Sequence, residues 1–198
     1  PIYKRRVREF TDLVENNADM EDILLAAGRV LHYVQDVAVP AHVVPVFHGP
    51  FPFPDDNFDS YSIEVENNTA LDFSEEECRS LHQTQVTFEQ IIPHAAQQTL
   101  TAIQTPIRTC GDNSITATWA TFWQADDSWF LSGFGSYGEV GNRFGEELEL
   151  EDCGSTDCTI TKADYNRFYQ RRLKDVLYNT AHFILLIDQK IKMKKFKQ

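Results

Sequence analysis

The stretch Gly28-Arg29-Val30-Leu31-His32-Tyr33-Val34-Gln35-Asp36-Val37-Ala38-Val39-Pro40-Ala41-His42 decides how the rest of the chain is read. Its apolar residues continue a stripe that begins at Met20 and passes through Ile23, Leu24, Ala27, Leu31 and Val34. That period is helical, and Pro40 is expected to end the helix. His32 and Asp36 lie four residues apart on it, so both side chains leave one face about a turn from each other. His42 follows just past the proline, close enough to turn back toward the same place, and His48 comes six residues later.

Outward from this segment the chain reads as helices joined by long loops. Val7, Phe10, Leu13 and Val14 mark an earlier helical face, and Asn16-Asn17-Ala18-Asp19 interrupts it and caps the next start. Residues 43–60 hold Pro45, Pro50, Pro52 and Pro54 beside Gly49, which predicts an ordered loop anchored by Phe47, Phe51, Phe53 and Phe58. Ser74-Glu-Glu-Glu has the form of a capping box and predicts a helix from Ser74 to about Ile91. Another is expected from Pro93 through Ala95, Ala96, Leu100 and Ile103, ending before Pro106. Residues 111–161 are rich in glycine and aromatics, and read as loops with at most one short hairpin near Ile115, Ala117 and Trp119. A long final helix runs through Tyr165, Phe168, Leu173, Val176, Leu177, Thr180, Phe183, Ile184 and Ile187 into the basic end Lys190 to Lys197. No repeat and no domain boundary is visible, so the expected architecture is one all-α domain over residues 1–198.

The chain has 198 residues, 42% of them hydrophobic, and 18 Lys and Arg against 30 Asp and Glu give a net charge of −12. This balance excludes general disorder and disfavours a stable nucleic-acid partner. The charge is uneven: residues 1–161 carry 8 basic and 27 acidic side chains, residues 162–198 carry 10 and 3. An acidic body attracts cations, metal ions among them. Cys78, Cys110, Cys153 and Cys158 form no C-x-x-C pair. An even number of cysteines, with Cys153 and Cys158 bracketing a turn and Cys78 left to Cys110, fits an exported protein with two disulfides. Pro1 in place of Met reads as the start of a mature or excised piece of something longer.

Three of the six histidines fall between His32 and His48, interleaved with Asp36 and trailed by Asp55, Asp56, Asp59 and Glu64. Mixed imidazole and carboxylate donors suit zinc, and two such groups could hold two ions tied by a bridging carboxylate, for which Asp36 is the natural candidate. Two neighbouring zinc ions activate a shared water and clamp a phosphoryl oxygen, as cleavage of a phosphodiester requires. His82 and His94 have no acid at ligand spacing. His182, amid Ala181, Phe183 and Ile184, reads as a core histidine, and the tryptophan-rich segment 119–137 reads as core and loop anchors.

The run Leu31-His32-Tyr33-Val34-Gln35-Asp36-Val37-Ala38-Val39-Pro40-Ala41-His42 resembles the signature of the zinc-dependent phospholipase C and single-strand nuclease superfamily. A further histidine and the segment Asp56-Asn57-Phe58-Asp59 extend the similarity, which is strong over about 30 to 40 residues. The resemblance implies a largely helical bundle, usually exported, that hydrolyses phosphoric esters with a metal-bound water. It implies that His32 and Asp36 bind a first zinc, with Asp36 bridging, and that His42, His48 and Asp59 bind another. Glu64 is the alternative to Asp59 by residue type. A complete site of this kind holds two or three zinc ions, with further His, Asp and Trp ligands in a segment expected upstream of Pro1. Asp36, or a nearby acid such as Asp55, is the expected general base. The expected substrate is a phospholipid or other phosphoric ester, reached with transient membrane-surface contact. The alternatives are a catalytically inactive metal-binding relative, or a helical interaction domain of a larger exported protein.

Overall fold

The computed structural model describes residues 2–44, 46, 48, 55–62, 73–83, 86–108, 115–124, 136–150 and 159–195. The described chain is dominated by helix: α1 (Ile2–Glu15), α2 (Met20–Asp36), a single turn α3 (Pro40–Val43), α4 (Glu75–Gln83), α5 (Ile91–Ile103) and α6 (Lys162–Lys195). Strands are confined to two antiparallel ribbons, β1 (Trp123–Gln124) with β2 (Ser136–Tyr137) and β3 (Leu148–Glu149) with β4 (Thr159–Ile160). Among the described residues no helix is long and apolar enough to cross a membrane.

Local chemistry accounts for most helix boundaries. Ser74 caps α4 as a true capping box: the Glu77 N–H donates to Ser74 Oγ at 3.1 Å and the Ser74 N–H donates to Glu77 Oε2 at 2.8 Å. Lys174 Nζ reaches the same Glu77 carboxyl at 2.8 Å, and these partners hold it down at about 2. Thr161 and Asp164 make the equivalent start for α6, with the Thr161 N–H and hydroxyl donating to Asp164 Oδ2 at 3.0 and 2.8 Å. Asn17, at a φ of 53°, turns the chain between α1 and α2 in the left-handed conformation that asparagine tolerates.

Several expectations change. The helix expected over residues 74–91 stops at Gln83, and a fresh start is organised by Thr87, whose N–H donates to Gln90 Oε1 at 3.1 Å. The next helix accordingly begins at Ile91 rather than Pro93, and the proline sits in its first turn, where a missing N–H costs nothing. Pro40 does not terminate α2, which ends at Asp36; it opens α3 as that turn's first residue. The buried stripe of α2 is also rotated: Ile23, Ala26, Ala27, Val30 and Val34 are buried, whereas Leu24 is 55% exposed.

The chain divides into two compact units: residues 1–37, 72–96 and 174–198 form the first, and residues 38–71 and 97–173 the second. In the first, α1 and α2 pack as a hairpin, and the core is a column of rings. Phe10 stacks on Phe88 at 4.7 Å and Phe88 on Phe183 at 5.3 Å, with Val30, Val34 and Ile91 buried around them. The second is built on aromatics from loops and ribbons that pack on residues of α6. Trp119 stacks on Phe168 at 4.4 Å, and the Phe144 ring meets Phe58 at 5.1 Å and Tyr165 at 4.8 Å. The backbone of this unit is tied by short pairings, such as the Ile107 N–H to the Ala117 carbonyl at 2.9 Å. Two ribbons replace the single hairpin expected.

Phe144 is 4% exposed and touches seven aromatic rings, so Phe144→Ala leaves a cavity at the centre of the second unit. The expected loss is about 3–5 kcal/mol of stability. Urea unfolding followed by tryptophan fluorescence measures it, and a loss below about 1 kcal/mol would show that the ring cluster is not the core.

Candidate metal centre

Within the second unit, His42, His48 and Asp59 bring one ligand atom each to within 4.8 Å of one another. The local sequence explains the arrangement. Ala41, Val44 and Val46 are buried and pin the chain after Pro40, with the Val46 N–H donating to the Ala41 carbonyl at 3.1 Å. The residues between and beyond these anchors are then turned outward. His42 is exposed on α3, and His48 is half-buried two residues past Val46.

The two imidazoles stack with centroids 4.9 Å apart and planes inclined by 14°, and their Nε2 atoms lie 3.0 Å apart. His48 Nδ1 lies 2.8 Å from the Val46 carbonyl, an acceptor only, so this nitrogen carries the proton and Nε2 presents its lone pair. A contact of this kind fixes the tautomer and ring orientation of histidines that bind metals. Asp59 Oδ2 stands 3.9 Å from the same Nε2. Two donors about 2.05 Å from a tetrahedral zinc are ~3.3 Å apart. The histidine pair is therefore at ligand spacing within a few tenths of an ångström, whereas Asp59 stands farther out, 3.9 Å from His48 Nε2 and within 4.8 Å of His42. Among the described residues two nitrogens and one carboxylate oxygen make up the group, three donors where a closed structural zinc site has four.

Asp59 is placed by its neighbours. Asp56, 1% exposed, closes the turn: its Oδ1 accepts the Phe58 N–H at 2.9 Å, and its Oδ2 accepts the Trp123 indole N–H at 3.2 Å and the Tyr137 hydroxyl at 3.0 Å. Burial first, and then the Asp56 carboxylate, push the Tyr137 phenol far up, so it stays protonated and donates. Asn57 donates two hydrogen bonds of 2.8 Å to Asn142, from its backbone N–H to Oδ1 and from its side-chain amide to the carbonyl, and the Asn142 side-chain amide donates to the Asp55 carbonyl at 2.6 Å. Phe58 is buried among Trp123, Phe144, Phe168 and Tyr169. With residues 56 and 58 facing inward, Asp59 is left at the surface. The Tyr169 phenol, near this turn, is raised by burial and by the Asp59 charge.

The other expected residues are not members of this group. His32 Nε2 and Asp36 Oδ2 pair at 3.3 Å on α2 in the first unit, with the histidine side chain 69% exposed. Asp55 is exposed, and only its carbonyl is engaged by Asn142. Glu64 lies outside the described residues, as do Cys110, Cys153 and Cys158; Cys78 is a free, exposed thiol on α4. His182 is a core histidine: it is 2% exposed, and its Nδ1 has no hydrogen-bond partner among the described residues. Burial, and then the neighbouring His94, lower its pKa from 6.5.

Sequence reasoning did not find the Val46 carbonyl, Trp123, Tyr137 or Asn142. The histidine spacing hinted at the first; the others join from 67 to 85 residues away and leave no local signal. Compared with known proteins, the chain matches no family model, no curated protein and no solved structure.

Asp56→Ala strands the Trp123 indole N–H in the core and is expected to cost about 2–4 kcal/mol, read as a fall in urea midpoint. A shift within error would mean that Asp56 does not organise the turn. A second expectation concerns pH. His182 is neutral in the folded state, while the unfolded chain takes up its proton below about 6.5, so stability is lost as pH falls from there toward the lowered folded value. His182→Gln should flatten the pH dependence of the urea midpoint between pH 7 and 5; an unchanged slope would assign it to other groups.

Proposed function

We propose that this chain is a zinc-dependent hydrolase of phosphoric esters, an exported helical bundle of the phospholipase C and single-strand nuclease kind. Its substrate is a phospholipid head group or a nucleic-acid phosphodiester, met at the metal, with only transient contact to a membrane surface. The observation that supports this reading is the approach of His42 Nε2, His48 Nε2 and Asp59 Oδ2 to a common point, with His48 already held in the metal-binding tautomer.

Zinc supplies Lewis-acid polarisation of a phosphoryl oxygen and lets water lose a proton near neutral pH. The residues do the rest. Val46 fixes the His48 ring, and the Asp56 and Asn142 contacts hold the turn that presents Asp59. Asp55, exposed four residues before Asp59, is the candidate base that takes the proton from water. His32 and Asp36 offer two further donors on α2, the partial shell of a second ion. The net charge of −12 favours retention of cations and disfavours lasting association with a polyanion.

The number of donors favours a second reading as well. Three ligands suffice for one ion, so a catalytically inactive relative that keeps a single zinc fits the same geometry. Metal content and turnover separate the two. After zinc loading and dialysis, the hydrolase is expected to retain zinc and to cleave phosphatidylcholine or single-stranded DNA. Chelation or His48→Ala should lower turnover by about 100-fold or more and release the metal. Zinc retained without turnover of either substrate establishes the inactive relative, and no zinc retained leaves the helical interaction domain.

A further inference from the structure

An open cleft of about 510 Å³ in the first unit is lined by Tyr3, Lys4, Val7, Arg8, Thr11, Glu89 and Pro93. Its volume falls inside the ~300–1,000 Å³ range of small-molecule sites. Tyr3, Val7 and Thr11 repeat at four-residue spacing and present one face of α1. Thr11 adds little polarity, because its hydroxyl is spent on the Val7 carbonyl at 3.0 Å. Pro93 adds an apolar wall with no N–H to satisfy. The cleft is therefore a mainly apolar trough.

Its rim carries the opposite character. Lys4 and Arg8 stand one turn apart, exposed, and neither makes an ion pair among the described residues. Arg6, by contrast, is held by Glu9 at 2.8 Å. Lys4, Arg5, Arg6 and Arg8 are four of the eight cations in residues 1–161, a stretch with 27 acids. Half of that region's positive charge thus sits on two turns of α1, beside an apolar hollow. Glu89, the one carboxylate of the lining, is neutralised by Lys190 Nζ at 3.1 Å, which lies 5.3 Å over the Phe88 ring. That pairing keeps the Glu89 carboxyl ionised but takes away most of its repulsion for an incoming anion.

We propose that this cleft binds a single-chain amphiphilic anion, a medium-chain fatty carboxylate, with its hydrocarbon chain on Tyr3, Val7 and Pro93 and its carboxylate between Lys4 and Arg8. Burial of the chain supplies the driving force, and the two cations select the head group. The site is independent of the metal centre, and its test uses neither zinc nor phosphoric esters.

The experiment is calorimetric titration of the full chain with decanoate below its micelle concentration, beside decanol and acetate. Decanoate should saturate one site, with decanol and acetate each at least tenfold weaker. Lys4→Glu with Arg8→Glu should weaken decanoate at least tenfold. Lys4→Met with Arg8→Met, which keeps the length of the stems, should weaken it in the same direction while the helical circular dichroism is unchanged. No saturable binding, equal binding of acetate, or affinity that survives both double variants overturns the proposal. Capture of the chain by phosphatidylglycerol vesicles without saturable decanoate binding also overturns it, and assigns the cations to a lipid surface.

Discussion

The Asp56 carboxylate lies at a depth where an ionised group is tolerated only with a full set of donors. It has three: a backbone N–H from its own turn, an indole N–H from β1 and a phenol from β2. These bonds join the turn at 57–60 to the β1–β2 ribbon and, through Phe58, to the aromatic cluster around Phe144 and Phe168. The position of Asp59 follows from them. Asp59 directly follows the buried Phe58 in this turn, is itself exposed, and places its Oδ2 3.9 Å from His48 Nε2. The grouping of His42, His48 and Asp59 is in this sense a by-product of how one buried charge is satisfied.

The two sets of donors rest on different physical footings. His32 and Asp36 meet because a helix places residues four apart on one face, and their pairing is largely solvated, where such contacts contribute little. His42, His48 and Asp59 are brought together by a proline-opened turn, two buried valines and a loop clamped by Asn142. One histidine there is oriented by a backbone carbonyl. Orientation of that kind distinguishes a prepared ligand from a histidine that happens to lie near an acid.

The first unit shows the same principle without polar chemistry. The Phe10, Phe88 and Phe183 rings come from α1, the turn before α5, and α6, and α2 turns its small residues Ala26 and Ala27 inward to meet that core. Leu24 and Leu25 are consequently left more than half exposed. His182 is accepted beside Phe183 only in its neutral form, which makes the same core sensitive to acid.

Much of this was legible in the residues. The helical character, the break at Asn16–Asp19, the Ser74 capping box and the long final helix follow from periodicity and end signals, which act over a turn or two. The cluster of histidines and trailing acids was legible as well, and the resemblance singled out His42, His48 and Asp59 from it, with Glu64 as the alternative to Asp59. What tertiary structure decided lies beyond that range. Leu24 fits the helical period as well as Ile23, and only packing against α1 determines which of them is buried. Asp55, Asp56 and Asp59 are indistinguishable as acids in a loop. Trp123 and Tyr137, arriving from more than sixty residues away, make Asp56 a structural anchor, while Asp59 lies exposed beside the histidines. Local sequence specifies which groups are available; the cost of burying a charge without partners specifies which of them can serve a site.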